Sequence, residues 1–299
     1  MTSLENLKFN NFCLKRQRKS IKIPEVSAKA WCLLDGNNGE MIWGKCEHER
    51  REIASLTKIM TALTAINIIK KYDISVMGSK IEVNNEAALQ GGTTAYLSEE
   101  DLLSLWDLMH GMLIPSGNDA AYSIAYYFGE LIVESFGYYK SFSKRKDPAS
   151  IFVDKMNKNA ANYSLKNTTF ANPTGLSNYF NKSTAYDYAK LSMIAMNEPM
   201  IREIVNKKSY KCKGLDLFGD EKEFKWINTN KLLDYKNFNG LKTGNTPSAG
   251  PCMSATYQDP SVNLICVSLG CKSSEDRWLD SLILSDFGSA MNLKSKNLE

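Results

Sequence analysis

At 299 residues, with 43% hydrophobic and 10% aromatic side chains, the chain can bury one large core or two apposed layers, which fits one folded catalytic domain. A net charge of +4, a pI of about 8.5 and lysines dispersed without a long basic stripe argue against nucleic acid as a partner. Seven cysteines, an odd number with no Cys-x-x-Cys pair, argue against a zinc site, and no segment is long enough to cross a bilayer.

Taken in chain order, residues 1–27 read as a basic, disordered extension containing Lys15-Arg16-Gln17-Arg18-Lys19. The following Ser20-Ile21-Lys22-Ile23-Pro24-Glu25 is not an apolar run, so no secretory signal is expected. Several cysteines sit in apolar, strand-like runs where a free thiol behaves as a small hydrophobe. Such usage is commoner in reducing compartments, and the expectation is cytoplasmic.

The apolar runs 28–35 and 41–46 flank the turn composition Asp35-Gly36-Asn37-Asn38-Gly39 and predict a β-hairpin. Leu56, Ile59, Met60, Leu63, Ile66 and Ile69 recur at helical spacing. Leu102 to Met109 reads as a further apolar helix leading toward Ser116, and the stretch from about 55 to 206 as an all-helical subdomain. Strands return at 240–244, 252–257 and 261–269, and a terminal helix follows from Asp276. This pattern predicts an α/β (α+β) fold: a mainly antiparallel sheet flanked by helices, with the helical subdomain inserted. The catalytic domain is expected over 28–291, with a tail at 292–299.

The chemistry resides in three short elements, Ser55-Leu56-Thr57-Lys58, Ser116-Gly117-Asn118 and Lys242-Thr243-Gly244. A lysine one helical turn from a serine can take the hydroxyl proton without a histidine, provided that it is neutral. Burial of Lys58 opposite a second cation, Lys242, would favour that state. Ser-x-x-Lys alone is weak, since it recurs at Ser141/Lys144 and Ser143/Lys146 in a polar run beside Pro148 that reads as a solvated loop. Ser261-Val262-Asn263 likewise reads as strand. A Ser-His-Asp hydrolase is disfavoured: His48 lies in a charged loop and His110 on a helix, where it reads as a packing or hydrogen-bonded residue. There is no Gly-x-Ser-x-Gly elbow, His-Glu-x-x-His or phosphate loop, and neither metal nor cofactor is expected.

The three elements in this order are the signature of penicillin-binding proteins and class A β-lactamases. Together with Ile53-Ala54-Ser55-Leu56-Thr57-Lys58-Ile59-Met60-Thr61-Ala62-Leu63, Phe170-Ala171-Asn172-Pro173-Thr174-Gly175-Leu176, Ser183-Thr184-Ala185-Tyr186-Asp187 and Asn239-Gly240-Leu241-Lys242-Thr243-Gly244, they make the chain resemble a serine-type D-Ala-D-Ala carboxypeptidase of the low-molecular-mass penicillin-binding class. The resemblance runs from about Ala28 to about Gly288 and implies a β-lactamase/transpeptidase-like fold.

The resemblance implies that Ser55 is the nucleophile of an acyl-enzyme and Lys58 its proton acceptor, that Ser116 and Asn118 relay a proton to the leaving D-alanine and hold the substrate amide, and that Lys242 and Thr243 receive the terminal carboxylate. Gly244 lets the substrate backbone approach, and the N–H groups of Ser55 and Asn245 form the oxyanion hole. Asn245 stands where many relatives have histidine, and Ile53 where proline is frequent. The implied partners are a D-Ala-D-Ala-terminated peptide and, as covalent inhibitors, β-lactams. The family usually acts outside the cytoplasmic membrane, against the cytoplasmic expectation above. Three other readings share the scaffold: a penicillin-binding sensor, a hydrolase recruited to another peptide or ester, and a β-lactamase. A class A β-lactamase deacylates with a glutamate in a Glu-x-x-Leu-Asn loop, which is absent from the sequence.

Overall fold

The computed structural model describes residues 22–136 and 147–296. The expected hairpin forms β1 (Ala30–Asp35) and β2 (Met41–Lys45), its turn tied by Asn37 N–H donating to Asp35 Oδ1 at 2.8 Å. A short strand β3 (Arg51–Glu52) leads through a 3₁₀ turn (Ala54–Thr57) into α1 (Lys58–Tyr72). Every side chain from Lys58 to Ile66 is buried, so α1 is a central helix packed on all sides. It stops at Asp73, whose left-handed φ of 52° ends the helical path.

There follow β4 (Lys80–Glu82), α2 (Asn85–Ala88), β5 (Leu102–Ser104), α3 (Leu105–Leu113), α4 (Asn118–Phe136), α5 (Pro148–Asn162), β6 (Lys182–Ser183), α6 (Ala185–Asn197) and α7 (Pro199–Val205). The expected helix over 102–109 is corrected at its start. Leu102–Ser104 is a strand, and Ser104 caps α3 by accepting from Asp107 N–H at 3.0 Å. The stretch 55–206 holds most of the helices but also β4, β5 and β6.

A hairpin that periodicity did not reveal, β7 (Ser209–Leu215) and β8 (Glu221–Ile227), completes a four-stranded sheet in the order β4-β5-β7-β8. The main sheet is antiparallel, in the order β2-β1-β11-β10-β9, with β9 (Phe238–Thr246), β10 (Gly250–Gln258) and β11 (Asn263–Leu269). α8 (Asp276–Lys296) closes the chain.

Alternation along the strands sends successive residues to opposite faces. Ala30, Cys32, Leu34, Ile265, Val267 and Leu269 face the helices of the large core. Trp31, Leu33, Met253, Ala255, Leu264 and Cys266 form a second core with Trp278 and Leu284 of α8. The chain entering β1 is pinned to α8, since Ser27 and Ala28 N–H both donate to the Asp280 carboxylate. Strand β9 is left as an open edge of the sheet beside the 3₁₀ turn that precedes α1, and that edge bounds the site.

Candidate active site

Ser55 sits half-buried in the 3₁₀ turn before α1, three residues ahead of Lys58. Two glycines let neighbouring segments close on this turn. A Cβ at Gly175 would lie 2.0 Å from the Ala54 carbonyl oxygen, and its φ of +85° is open to glycine. A Cβ at Gly244 would lie 3.0 Å from the Ser55 nitrogen. Strand β9 and the loop after α5 therefore meet at Ser55.

Lys58 is fully buried, and its Nζ lies 2.6 Å from Asn118 Oδ1, 2.7 Å from the Thr174 carbonyl and 3.0 Å from Ser55 Oγ. The first two partners can only accept. A neutral amine has two hydrogens to give them, which leaves its lone pair for the Ser55 hydroxyl. The electrostatics favour that neutral form. Burial, then the Lys242 cation, push the Lys58 pKa well below the usual lysine value, outweighing Asp119, which acts the other way. Lys242, also buried, is lowered to about 7 by burial and then by Arg277. Arg277 is the charged neighbour that Lys242 feels.

The loop between α3 and α4 carries Ser116 in a left-handed conformation, φ 68°. Gly117 N–H bonds the Gly111 carbonyl at 3.0 Å, and a Cβ at Gly117 would lie 2.8 Å from that of Ala95. Asp119 holds the facing segment through Thr94 Oγ1 at 2.6 Å and Ala95 N–H at 2.9 Å. Strain at a non-glycine residue held this firmly is a common mark of a functional position. The Ser116 hydroxyl is buried without a hydrogen-bond partner among the described residues, and Asn118 completes its own bonding by donating Nδ2 to the Gly91 carbonyl at 2.5 Å.

Register settles which backbone groups of β9 are open. Pro251 pairs with Asn245, and its carbonyl accepts from Cys271 N–H at 2.8 Å on the other side of β10. Alternate residues of an antiparallel strand point their N–H and C=O the same way. Hence Thr243 and Asn245 direct theirs off the free edge. The Thr243 carbonyl accepts from Lys242 Nζ at 3.1 Å, its hydroxyl pairs with that of Thr229 at 2.8 Å, and the Asn245 side chain is exposed.

All eight expected site residues, Ser55, Lys58, Ser116, Asn118, Lys242, Thr243, Gly244 and Asn245, therefore meet in the region bounded by the nucleophile turn, the Ser116 loop and β9. Three partners were not anticipated: the Thr174 carbonyl, Thr229, and Arg277, whose Nη1 donates to the Gly244 carbonyl at 3.3 Å. The histidines lie elsewhere. His110 is buried with Nδ1 on the Trp106 carbonyl at 2.9 Å, Lys207 at 3.2 Å from Nε2, and burial lowering its pKa to about 4. His48 packs edge-on against Tyr186. Ser261 lies in a turn closed by Asp259. Ser141, Ser143, Lys144, Lys146 and the basic run 15–19 fall outside the described residues. Among the described residues no cluster of His, Cys, Asp or Glu could hold a metal ion, and no helix is long and apolar enough to cross a membrane.

Comparison with known proteins gives a consistent result. The chain is 31% identical over 261 residues to the D-alanyl-D-alanine carboxypeptidase DacF of Bacillus subtilis, covering 87% of this chain and 61% of the relative. It is 29% identical over 275 residues to the D-alanyl-D-alanine carboxypeptidase of Streptomyces sp. strain K15, covering 90% and 89% of the two chains. The crystal structure of the Streptomyces K15 DD-transpeptidase superposes with a TM-score of 0.81 at 28% identity, over 90% of this chain and 100% of that one. Penicillin-binding protein 6B of Escherichia coli gives 0.73 at 30% identity, over 90% and 79%. The chain spans about 60% of the length of the Bacillus and Escherichia carboxypeptidases it matches. The sequence profile of the D-alanyl-D-alanine carboxypeptidase family matches residues 17–132 and 147–273, and the chain belongs to that family.

Proposed function

We propose that this chain removes the terminal D-alanine from D-Ala-D-Ala peptides through an acyl-enzyme on Ser55. The observation that carries the proposal is the placement of the buried Lys58 amine, 3.0 Å from Ser55 Oγ and within 2.7 Å of two groups that only accept, Asn118 Oδ1 and the Thr174 carbonyl, so that in its neutral form the lone pair is left for the Ser55 hydroxyl. Ser55 Oγ attacks the carbonyl carbon of the penultimate residue, and its proton passes to Lys58 Nζ. The Ser55 and Asn245 N–H groups receive the oxyanion. The C–N bond then breaks, and D-alanine departs as an amine that takes the Lys58 proton through the Ser116 hydroxyl. Water attacks the ester, Lys58 accepts its proton, and Ser55 regains a hydroxyl. Lys242, Arg277 and the Thr243 hydroxyl supply the positive potential and hydrogen bond for the terminal carboxylate.

D-alanine release from diacetyl-L-Lys-D-Ala-D-Ala is the direct test: absence of release, with stoichiometric penicillin labelling retained, leaves a penicillin-binding sensor. A fluorescent penicillin is expected to label Ser55, and label that survives Ser55→Ala or maps to another serine refutes the nucleophile. With nitrocefin, one burst near the enzyme concentration is expected, because the tethered leaving group of an opened β-lactam obstructs water where a departed D-alanine does not. Sustained hydrolysis of nitrocefin faster than D-alanine release makes the protein a β-lactamase. Since the Streptomyces K15 relative is a DD-transpeptidase, an added amino acceptor tests whether the acyl group goes to an amine in place of water. The cytoplasmic reading is supported by the six described cysteines, all free thiols, and is tested by fractionating the cells that make the protein.

A further inference from the structure

The loop that supplies the Thr174 carbonyl is organised by a side chain with no part in the chemistry above. Asn172 Oδ1 accepts from Gly175 N–H at 2.7 Å, Thr174 Oγ1 at 3.1 Å and Thr174 N–H at 3.2 Å, and its Nδ2 donates to the Leu176 carbonyl at 3.0 Å. Three donors at one end of the amide and a carbonyl at the other fix which end is oxygen. The local sequence prepares this turn. Asparagine readily bonds the backbone just ahead of it, and Pro173 has a fixed φ and no N–H to compete for the same oxygen. The loop is tied to its surroundings independently: both groups of the Asn157 amide bond Phe170 at 2.8 Å, and Thr61 Oγ1 donates to the Pro173 carbonyl at 2.7 Å.

The bond from Gly175 N–H bears directly on Lys58. That N–H and the Thr174 C=O belong to one planar trans unit, in which they point in opposite directions. Anchoring the N–H on Asn172 therefore aims the carbonyl the other way, where Lys58 Nζ lies 2.7 Å from it. Packing demands glycine at 175, since a Cβ there would strike the Ala54 carbonyl, yet glycine accepts φ of either sign and offers little resistance of its own to rotation of that plane. With the plane turned over, Lys58 would face an N–H in place of a carbonyl, and one hydrogen of its neutral amine would lose its acceptor.

We infer that Asn172 is a positioning residue for Lys58, locking the peptide unit that joins Thr174 to Gly175 so that its carbonyl holds one amine hydrogen and the lone pair stays aimed at Ser55 Oγ. This rests on the reading of Lys58 as the proton acceptor and adds the group that orients it. Asn172 makes no hydrogen bond to Lys58 or Ser55 among the described residues and acts through the backbone.

The test follows penicillin acylation of Ser55 by stopped flow across a pH series, in the unaltered protein and in Asn172→Ala, Asn172→Ser and Asn172→Asp. Alanine removes the acceptor, so the saturating acylation rate of the folded protein should fall about 10²-fold while the half-saturating penicillin concentration changes by less than about threefold. Serine restores a short acceptor at the turn and should recover most of that loss. Aspartate keeps the three accepted bonds, so its plateau rate should hold, but its charge favours the ammonium form of Lys58 and should move the acid limb of the profile to higher pH. If Asn172→Ala does not fold, Asn172→Gln, which sets the amide oxygen one carbon farther out, takes its place with the same expectation. An unchanged rate in Asn172→Ala overturns the inference, as does Asn172→Ser no faster than Asn172→Ala, or an unmoved acid limb in Asn172→Asp. No acylation of Ser55 in the unaltered protein overturns the carboxypeptidase reading itself, so the two failures are distinct.

Discussion

The two faces of the five-stranded sheet are built to different ends. The face under α8 is a continuous apolar layer of Trp31, Leu33, Met253, Ala255 and Leu264. The opposite face is as apolar along β1 and β11, but at the β9 edge it buries Lys242 and, across the cleft, Lys58. Burying a cation opposes folding unless the group gives up its proton. One face therefore accumulates stability, and a corner of the other holds two amines whose burial opposes folding while they are charged.

The largest effect expected from breaking this contrast is at Lys58. Arginine stays protonated and cannot accept the Ser55 proton, so Lys58→Arg should slow penicillin acylation by about 10³-fold or more, whereas Lys242→Arg keeps the cation and partial activity. Equal rates in stopped-flow labelling of the two variants would remove the reason to call Lys58 the base. Next, Leu33→Ala on the α8 face should lower stability by about 2–5 kcal/mol in urea melts while the labelling rate of the folded fraction holds. A matching loss of acylation would show that the two faces are coupled.

A third variant sharpens the comparison from the other side. The folded-state pKa of Lys242 is lowered to about 7, so between that value and the ordinary lysine value the unfolded chain binds more protons than the folded one. Stability should accordingly rise with pH across that window, and the cost of burial is fullest below about 7. Lys242→Met should be the more stable protein, with its advantage largest at pH 6 and shrinking toward pH 10 in thermal melts. The smallest effect is on turnover. As pH rises above about 7, free enzyme loses the Lys242 cation, so kcat/KM for the peptide should decline by up to about tenfold per unit. A flat profile from 7 to 9 would assign the carboxylate to Arg277 alone.

The sequence shows the site more plainly than it shows the small sheet. The roles proposed for Ser55, Lys58, Ser116, Asn118 and Lys242 belong to side chains, and side chains are what a motif records. The Thr174 contact with Lys58 is made by the backbone carbonyl, which any residue could provide. Arg277 lies far along the chain, after the last strand, with nothing in its neighbours to mark it. For Leu102–Ser104, a short apolar run cannot by itself tell strand from helix, and the Ser104 cap was the cue that divides the two. Strands β7 and β8 escaped because their inward residues are Tyr210, Cys212, Gly214, Phe224 and Trp226 set between charged ones, and only two-residue alternation, weak in so polar a run, marks them.

The free margin of β9 carries a liability of its own. Unpaired N–H and C=O groups on a strand margin can be recognised by any extended chain, including the same margin of another copy, which is how sheets propagate into aggregates. Here the nucleophile turn packs against that margin, with Gly244 close to Ser55, and a charged Lys242 points inward from it. An inward charge on a margin strand is a known deterrent to such pairing. The lysine proposed to receive a short anionic peptide end would, when protonated, also discourage a longer, neutral strand from docking, which ties colloidal stability in this protein to the protonation of one buried amine.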